Sequence, residues 1–329
     1  MRARLGSMFT LADLDAAESV VRRHVPPTPQ YMWPLLAAVT GTETWVKHEN
    51  HTPTGAFKVR GGLVRLDRLV RENGAGSGVV TATRGNHGQS VAFAGAASGV
   101  PVTIVVPVGN SPDKNASMIG FGAELIEHGH DFQAAREHAG KLAAERGLVL
   151  LGPFHRDLAL GVATYARELF SAVNDLDAVY VPVGMGTGIS GLITVRDLLE
   201  LRTEIIGVVA EEAPATKLSF EAGEVIATET AATFIDGVAC RVPDEDAIDI
   251  VVRGAERIIA VSEDSAAEAV RVMLHTTHNL PEPAGATALA GLLSERDAQR
   301  GRRVGVILSG GNMDAPMLAQ ILAGQTPPP

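Results

Sequence analysis

Four short stretches of this chain carry side chains whose chemistry is complementary. The first is residues 51–62, HTPTGAFKVRGG, where Lys58 follows a Gly-containing turn and opens a helical pattern. Thr54 and Gly55 read as turn and cap, and Phe57, Leu63, Leu66 and Val70 recur as on the buried face of a helix. An ammonium at a helix start is disfavoured, because the free N–H groups and the dipole there prefer an anion. The expected result is a lowered pKa and a neutral amine, the form that Schiff-base chemistry with an aldehyde or carbonyl compound requires. Most lysines are solvated surface groups, so Lys58 gains meaning only from its company.

The other three stretches follow strand-like runs, at the strand ends where open parallel sheets bind ligands. After VVTAT comes Thr83, Arg84, Gly85, Asn86 and His87, a turn into a helix. Its backbone N–H groups suit a carboxylate, with Asn86 and His87 as side-chain donors. After AVYVPV comes Gly184, Met185, Gly186, Thr187 and Gly188, whose N–H groups can form a nest for a phosphate at a helix start. No Gly-Lys-Ser/Thr follows, so it is not a Walker loop. After VGVIL comes Ser309-Gly310-Gly311-Asn312, where Ser309 offers one neutral hydrogen bond. Each loop taken alone is also an ordinary turn. Together with the lysine they specify a phosphorylated aldehyde held by imine, phosphate and ring, and pyridoxal phosphate is such a molecule. A nucleotide-binding enzyme would use the glycine loop but leave Lys58 and RGNHGQ without a purpose.

The elements that must present these loops alternate along the chain. A helix opens at Thr10, a candidate cap, with Leu14, Ala17 and Val21 on one face, and stops near Pro26 and Pro27. A strand over 44–47 precedes the lysine segment, and the flexible-looking residues 73–78, NGAGSG, are a candidate hinge. Val- and Ile-rich strands then alternate with amphipathic helices: strands at 79–83, 102–106 and 123–127, and in a second series 178–183, 204–210, 258–261 and 304–308. The pattern predicts an α/β fold of two domains, each an open, mostly parallel sheet flanked by helices. Residues 1–76 and 156–329 form the expected large, discontinuous domain, and 77–155 a small mobile one. Residues 212–260 give no clear pattern beyond the last strand.

Composition narrows the partners. Hydrophobic residues make up 46% of the 329, net charge is −10, and Lys and Arg are scattered among acids. A small-molecule partner is expected, and neither nucleic acid nor an anionic membrane. No apolar run reaches the roughly 18 residues of a membrane span, and the start MRARLGSMFT lacks the apolar stretch of a signal peptide. The single cysteine, Cys240, forms no internal disulfide and fits a cytoplasmic location.

The motifs TGAFKVRGG, RGNHGQ, PVGMGTGISG, IDG at 235–237 and LSGGN occur in an order that resembles the serine/threonine dehydratase family. This family belongs to the fold type II (tryptophan synthase β-like) enzymes using pyridoxal phosphate and is related to serine racemase. The resemblance implies that Lys58 forms the Schiff base, Phe57 lies against the cofactor, Asn86 bonds the ring hydroxyl, and residues 184–188 hold the phosphate. Ser309 would face the pyridine nitrogen. It also implies a homodimer and β-elimination from a β-hydroxy amino acid such as L-threonine or L-serine. In that reaction the substrate carboxylate docks on Thr83, Arg84, Gly85, Asn86 and His87, Lys58 removes the α-proton, and a 2-oxo acid and ammonia leave.

Departures from the family pattern bear on substrate. Met185 and Thr187 interrupt the usual tetraglycine loop, so the Thr187 hydroxyl is a candidate phosphate contact. Arg84 stands where the racemases carry a serine acid/base, so weak or absent racemase activity is expected. A substrate-facing Arg84 would favour a second carboxylate, as in 3-hydroxyaspartate; a bulky 3-hydroxy amino acid such as phenylserine is another alternative. Lys217 takes the apparent place of a metal-binding aspartate near Glu211, so no divalent metal site is expected. The chain ends shortly after SGGN, and no regulatory domain is expected. A regulatory protein that kept the fold without catalysis is a further alternative.

Overall fold

The computed structural model describes residues 8–329 apart from Ala75 and Ser77. The proposed hinge at 73–78 therefore lies partly outside the described residues, as does most of MRARLGSMFT. Strands are β1 (Gln30–Met32), β2 (Glu43–His48), β3 (Val79–Ala82), β4 (Val102–Val106), β5 (Glu124–Glu127), β6 (Val149–Leu150), β7 (Ala178–Pro182), β8 (Glu204–Ala210), β9 (Arg257–Val261) and β10 (Arg303–Leu308). Helices are α1 (Leu11–Val21), α2 (Pro34–Thr40), α3 (Lys58–Asn73), α4 (Asn86–Ser98), α5 (Pro112–Gly120), α6 (Phe132–Arg146) and α7 (Arg156–Ala172). There follow α8 (Thr187–Leu198), α9 (Ala215–Ala222), α10 (Glu245–Gly254), α11 (Glu263–Thr277), α12 (Pro283–Ser294), α13 (Arg296–Gln299) and α14 (Ala315–Leu322).

Two sheets result, as the alternating pattern requires. One has the order β1-β2-β10-β7-β8-β9 and the other β5-β4-β3-β6. Among the described residues the named strands pair in parallel except β1 with β2. The strands read as continuous apolar runs because helices cover both faces, and every residue of β3 and β4 is buried. β1 and α2 gave no signal in the sequence, since β1 is three residues long and mostly exposed and α2 has only Leu36 and Thr40 buried. Residues 212–260, unreadable as sequence, hold α9, a 3-10 turn at Asp236–Val238 and α10.

Local chemistry accounts for the element starts. Thr10 makes a full capping box with Asp13. α3 begins at Lys58 with Phe57 as its N-cap and no side-chain cap, so Thr54 and Gly55 form the turn before the helix rather than its cap. Val59, Leu63, Leu66 and Leu69 bury one face of α3. α3 crosses α7 backbone to backbone, for a Cβ on Gly161 would lie 2.3 Å from the Arg60 carbonyl oxygen. That contact places the first turn of α3, and with it Lys58, at fixed depth.

Candidate active site

The four stretches meet. Phe57 N–H donates to the Ser309 carbonyl at 3.0 Å, and Gly311 N–H to the Gly55 carbonyl at 2.9 Å, so the lysine turn is stitched to the end of β10. Ser90 of α4 donates its hydroxyl to the Lys58 carbonyl at 2.6 Å. The Phe57 ring meets Tyr165 edge-on at 6.2 Å, and the Tyr165 hydroxyl donates to the Gly188 carbonyl at 3.3 Å. Three strand ends and one helix start thus surround one amine.

Lys58 is half-buried, with Nζ 4.8 Å from the Phe57 ring centroid. Its pKa is lowered, as expected, but the cause the structure gives is burial, opposed by the negative charge of Glu282. Glu282, just before α12, is itself pushed up by burial, while Lys114, Asn86 and Lys58 pull it back. Its Oε1 accepts from Asn86 Nδ2 at 2.6 Å. Sequence reading missed Glu282; its only signal is its place as the acid before Pro283 at a helix start. Asn312, which follows the glycines after β10, was also assigned no part, yet it donates to Asn86 Oδ1 and to the Thr54 carbonyl, both at 2.8 Å.

At the start of α4 the Thr83 hydroxyl is turned inward, accepting from Gly85 N–H at 3.0 Å and Gly88 N–H at 3.3 Å. The N–H groups of Asn86 and His87, at the first two helical positions, have no intrahelical partner. They are what the loop offers a carboxylate. The His87 ring, expected as a donor, is instead buried beside a small cavity lined by Arg65, Leu66, Val91 and Leu158. Its Nε2 has no partner among the described residues, and burial together with Lys58 lowers its pKa to about 3, so the ring is neutral. Arg84 is more than half exposed and pairs with Asp236 at 3.2 Å. Lys114 of α5 approaches the same carboxylate at 3.6 Å.

The start of α8 fits a phosphate. Gly186 has φ +94° and a Cβ there would lie 2.8 Å from the Ala247 methyl, while one on Gly184 would lie 2.4 Å from the Gly237 carbonyl oxygen. Only glycine holds this shape. Met185 turns aside, its sulfur 3.6 Å from Cys240 Sγ. Thr187 is the first residue of α8, and the buried Ser190 hydroxyl one turn on has no partner among the described residues. Backbone N–H groups, a helix start and an unpaired hydroxyl form a donor set for an anion. With the amine of Lys58 and a neutral Ser309 behind Phe57, the residues fit pyridoxal phosphate. At Glu211, which is exposed, Lys217 pairs with Glu221. Among the described residues no three His, Cys, Asp or Glu side chains cluster as a metal site, and no helix is long and apolar enough to cross a membrane.

Comparison with known proteins agrees with this geometry. The chain is 32% identical over 316 residues to an L-threonine ammonia-lyase of Thermotoga maritima, covering 96% of this chain and 78% of that one. It is 31% identical over 318 residues to an L-threo-3-hydroxyaspartate ammonia-lyase of Saccharomyces cerevisiae, covering 96% and 97%. The processed threonine deaminase isoform 2 of Solanum lycopersicum superposes with a TM-score of 0.89 at 28% identity, over 95% of this chain and 92% of that one. The family model described as pyridoxal-phosphate dependent enzyme matches residues 21–310, and the chain belongs to that family.

Proposed function

We propose that this protein eliminates water from a 3-hydroxy amino acid, L-threonine or L-serine first, releasing a 2-oxo acid and ammonia. The observation that carries the reading is the half-buried Lys58 amine, its charged form disfavoured by burial, set among a carboxylate loop, a phosphate cradle and Asn86. Bound pyridoxal phosphate supplies an electron sink that acidifies the substrate's α-carbon. Residues 184–188 and the Thr187 hydroxyl would hold its phosphate, Asn86 its ring oxygen, and Ser309 its ring nitrogen. The N–H groups of Asn86 and His87 bind the substrate carboxylate at the start of α4. Lys58 Nζ, its charged form disfavoured by burial, takes the α-proton. The neutral His87 ring and the apolar wall of Leu66 and Val91 exclude bulk water behind the loop.

A second reading, elimination from 3-hydroxyaspartate, is supported by two cations, Arg84 and Lys114, sharing the single carboxylate of Asp236 beside the carboxylate loop. The test is 2-oxo acid release from L-threonine, L-serine, both 3-hydroxyaspartate diastereomers and phenylserine in parallel. Oxobutyrate as the best product supports the first reading, and preference for hydroxyaspartate, lost in Arg84→Ser, supports the second. No oxo acid from any of them overturns both.

Three coarser features complete the proposal. Residues 77–155 act as a mobile domain over 1–76 and 156–329; support comes from the separate sheet that β3, β4, β5 and β6 make. The protein works as a homodimer, supported by the exposed Tyr31, Met32, Leu35 and Val39 around β1 and α2. It resides in the cytoplasm, in keeping with its one buried, unpaired Cys240.

A further inference from the structure

Glu282 is a buried carboxylate with no cation within salt-bridge distance among the described residues, yet its hydrogen bonding is specific. Its backbone N–H donates to the Gly310 carbonyl at 2.9 Å. The glycine at 310 leaves room for its carboxylate, for a Cβ there would lie 2.4 Å from Glu282 Oε1 and 3.0 Å from the Ala56 methyl. The fold thus holds a slot open for this carboxylate, whose Oε1 receives Asn86 Nδ2 at 2.6 Å.

The orientation of the Asn86 amide follows by elimination. The Thr54 carbonyl is a backbone acceptor, so the Asn312 atom 2.8 Å away from it is the amide nitrogen. The second hydrogen of that nitrogen goes to Asn86 at 2.8 Å, with Gln89 Oε1 a more distant acceptor at 3.5 Å, so Asn86 presents its oxygen there and its nitrogen to Glu282. One Asn86 hydrogen is taken by Glu282 and one remains. The amide nitrogen of Asn86 thus keeps one N–H to donate.

We propose that Glu282 is a positioning residue which, by accepting from Asn86, commits that amide to donate its remaining N–H to the ring oxygen of the cofactor and so favours the ionised ring oxygen. The inference rests on the placing of Asn86 at the cofactor ring and not on the identity of the substrate. The charged groups acting on Glu282 are Lys58 from α3, Lys114 from α5 and Asp236 from the 3-10 turn, and the test reads their combined effect through the cofactor.

The experiment follows the visible absorption of the holoenzyme from pH 6 to pH 10 in Glu282→Met and Glu282→Gln beside the parent chain, with kcat and KM. In Glu282→Met the long-wavelength cofactor band is expected to shift to shorter wavelength and to titrate within this range. Its kcat should fall at least tenfold, with KM changed less than threefold. Glu282→Gln, which keeps an acceptor oxygen, should retain the parent band and recover most of kcat. A parent-like band in Glu282→Met, or equal damage in both variants without spectral change, overturns the proposal. If neither variant folds, Asn312→Asp reaches the same amide from its other side; a shifted band supports the proposal and an unshifted one overturns it. Because absorption needs no substrate, the result stands even if the parent chain releases no 2-oxo acid from any amino acid tried.

Discussion

Lys58 faces opposing influences: the Phe57 ring beneath it and Glu282 beside it favour the ammonium, while burial favours the amine. Replacing it removes the base without touching the wall of the site. Lys58→Ala is expected to lower the rate of 2-oxo acid release by about a thousandfold or more, the scale of a lost acid/base group, while far-ultraviolet circular dichroism stays that of the parent. Gly186 is a residue-scale constraint of another sort. At φ +94°, with the Ala247 methyl in the way, an alanine strains the cradle by roughly 1–3 kcal/mol. Gly186→Ala should weaken pyridoxal phosphate binding about tenfold or more, read by titrating the cofactor into apoprotein. For Arg84, already paired with Asp236, no appreciable amino-acid racemisation is expected from the parent chain, and chiral chromatography of L-serine incubated with it decides the point.

Behind the site, β2, α3 and α7 are joined by a buried ionic network. Arg60 reaches Glu49 at 2.7 Å and Glu168 at 2.8 Å, Lys47 reaches Glu168 at 2.6 Å, and Thr28 and Thr164 satisfy the remaining groups. The buried cations Arg60 and Lys47 face the buried acids Glu49 and Glu168, with Arg22 at the rim 3.3 Å from Glu168, so the cluster tolerates burial only as a whole. Since Arg60 is two residues from Lys58, the network also fixes the first turn of α3. Arg60→Met would leave Glu49 uncompensated, and a loss of about 3–5 kcal/mol is expected in urea unfolding. The exposed pair Arg300 and Asp297, 3.2 Å apart, is the contrast, with Arg300→Ala expected to change stability by less than about 0.5 kcal/mol.

For the whole molecule, the buried titratable groups set the acid limit of stability. His48 is fully buried, and burial with the neighbouring His51 lowers its pKa from 6.5 to about 4; that of His87 falls to about 3. Both must be neutral in the folded chain, whereas the unfolded chain binds their protons below about pH 6.5. The unfolded state therefore holds more protons, and stability falls as pH drops from about 6.5. Glu168 adds to this lower down. Burial opposes its ionisation, but Arg60 and Lys47 hold its pKa below the usual value, so its contribution is lost as pH falls through the depressed folded value. Thermal midpoints between pH 8 and pH 4 should decline throughout the acid half. His48→Gln is expected to flatten the decline above pH 4, by up to ~3 kcal/mol at its lower end. A slope unchanged by that substitution would remove His48 from the account.

The sequence by itself determined the alternation of elements, because apolar periodicity and turn residues act locally. β4 spans 102–106 and β8 204–210, the bounds expected. Lys58 at a helix start, the turn before α4 and the nest before α8 were legible for the same reason, each being a few residues long. Residues far apart in the chain were not. Glu282 lies 196 positions from Asn86, and the Arg60 network joins segments up to 140 positions apart. The inward turn of the Thr83 hydroxyl, the burial of the His87 ring and the shared Asp236 depend on which neighbours the fold supplies. Hydrogen-bond partners, and the burial that moves the pKa of Lys58, are properties of three-dimensional surroundings, and only the tertiary structure decides them.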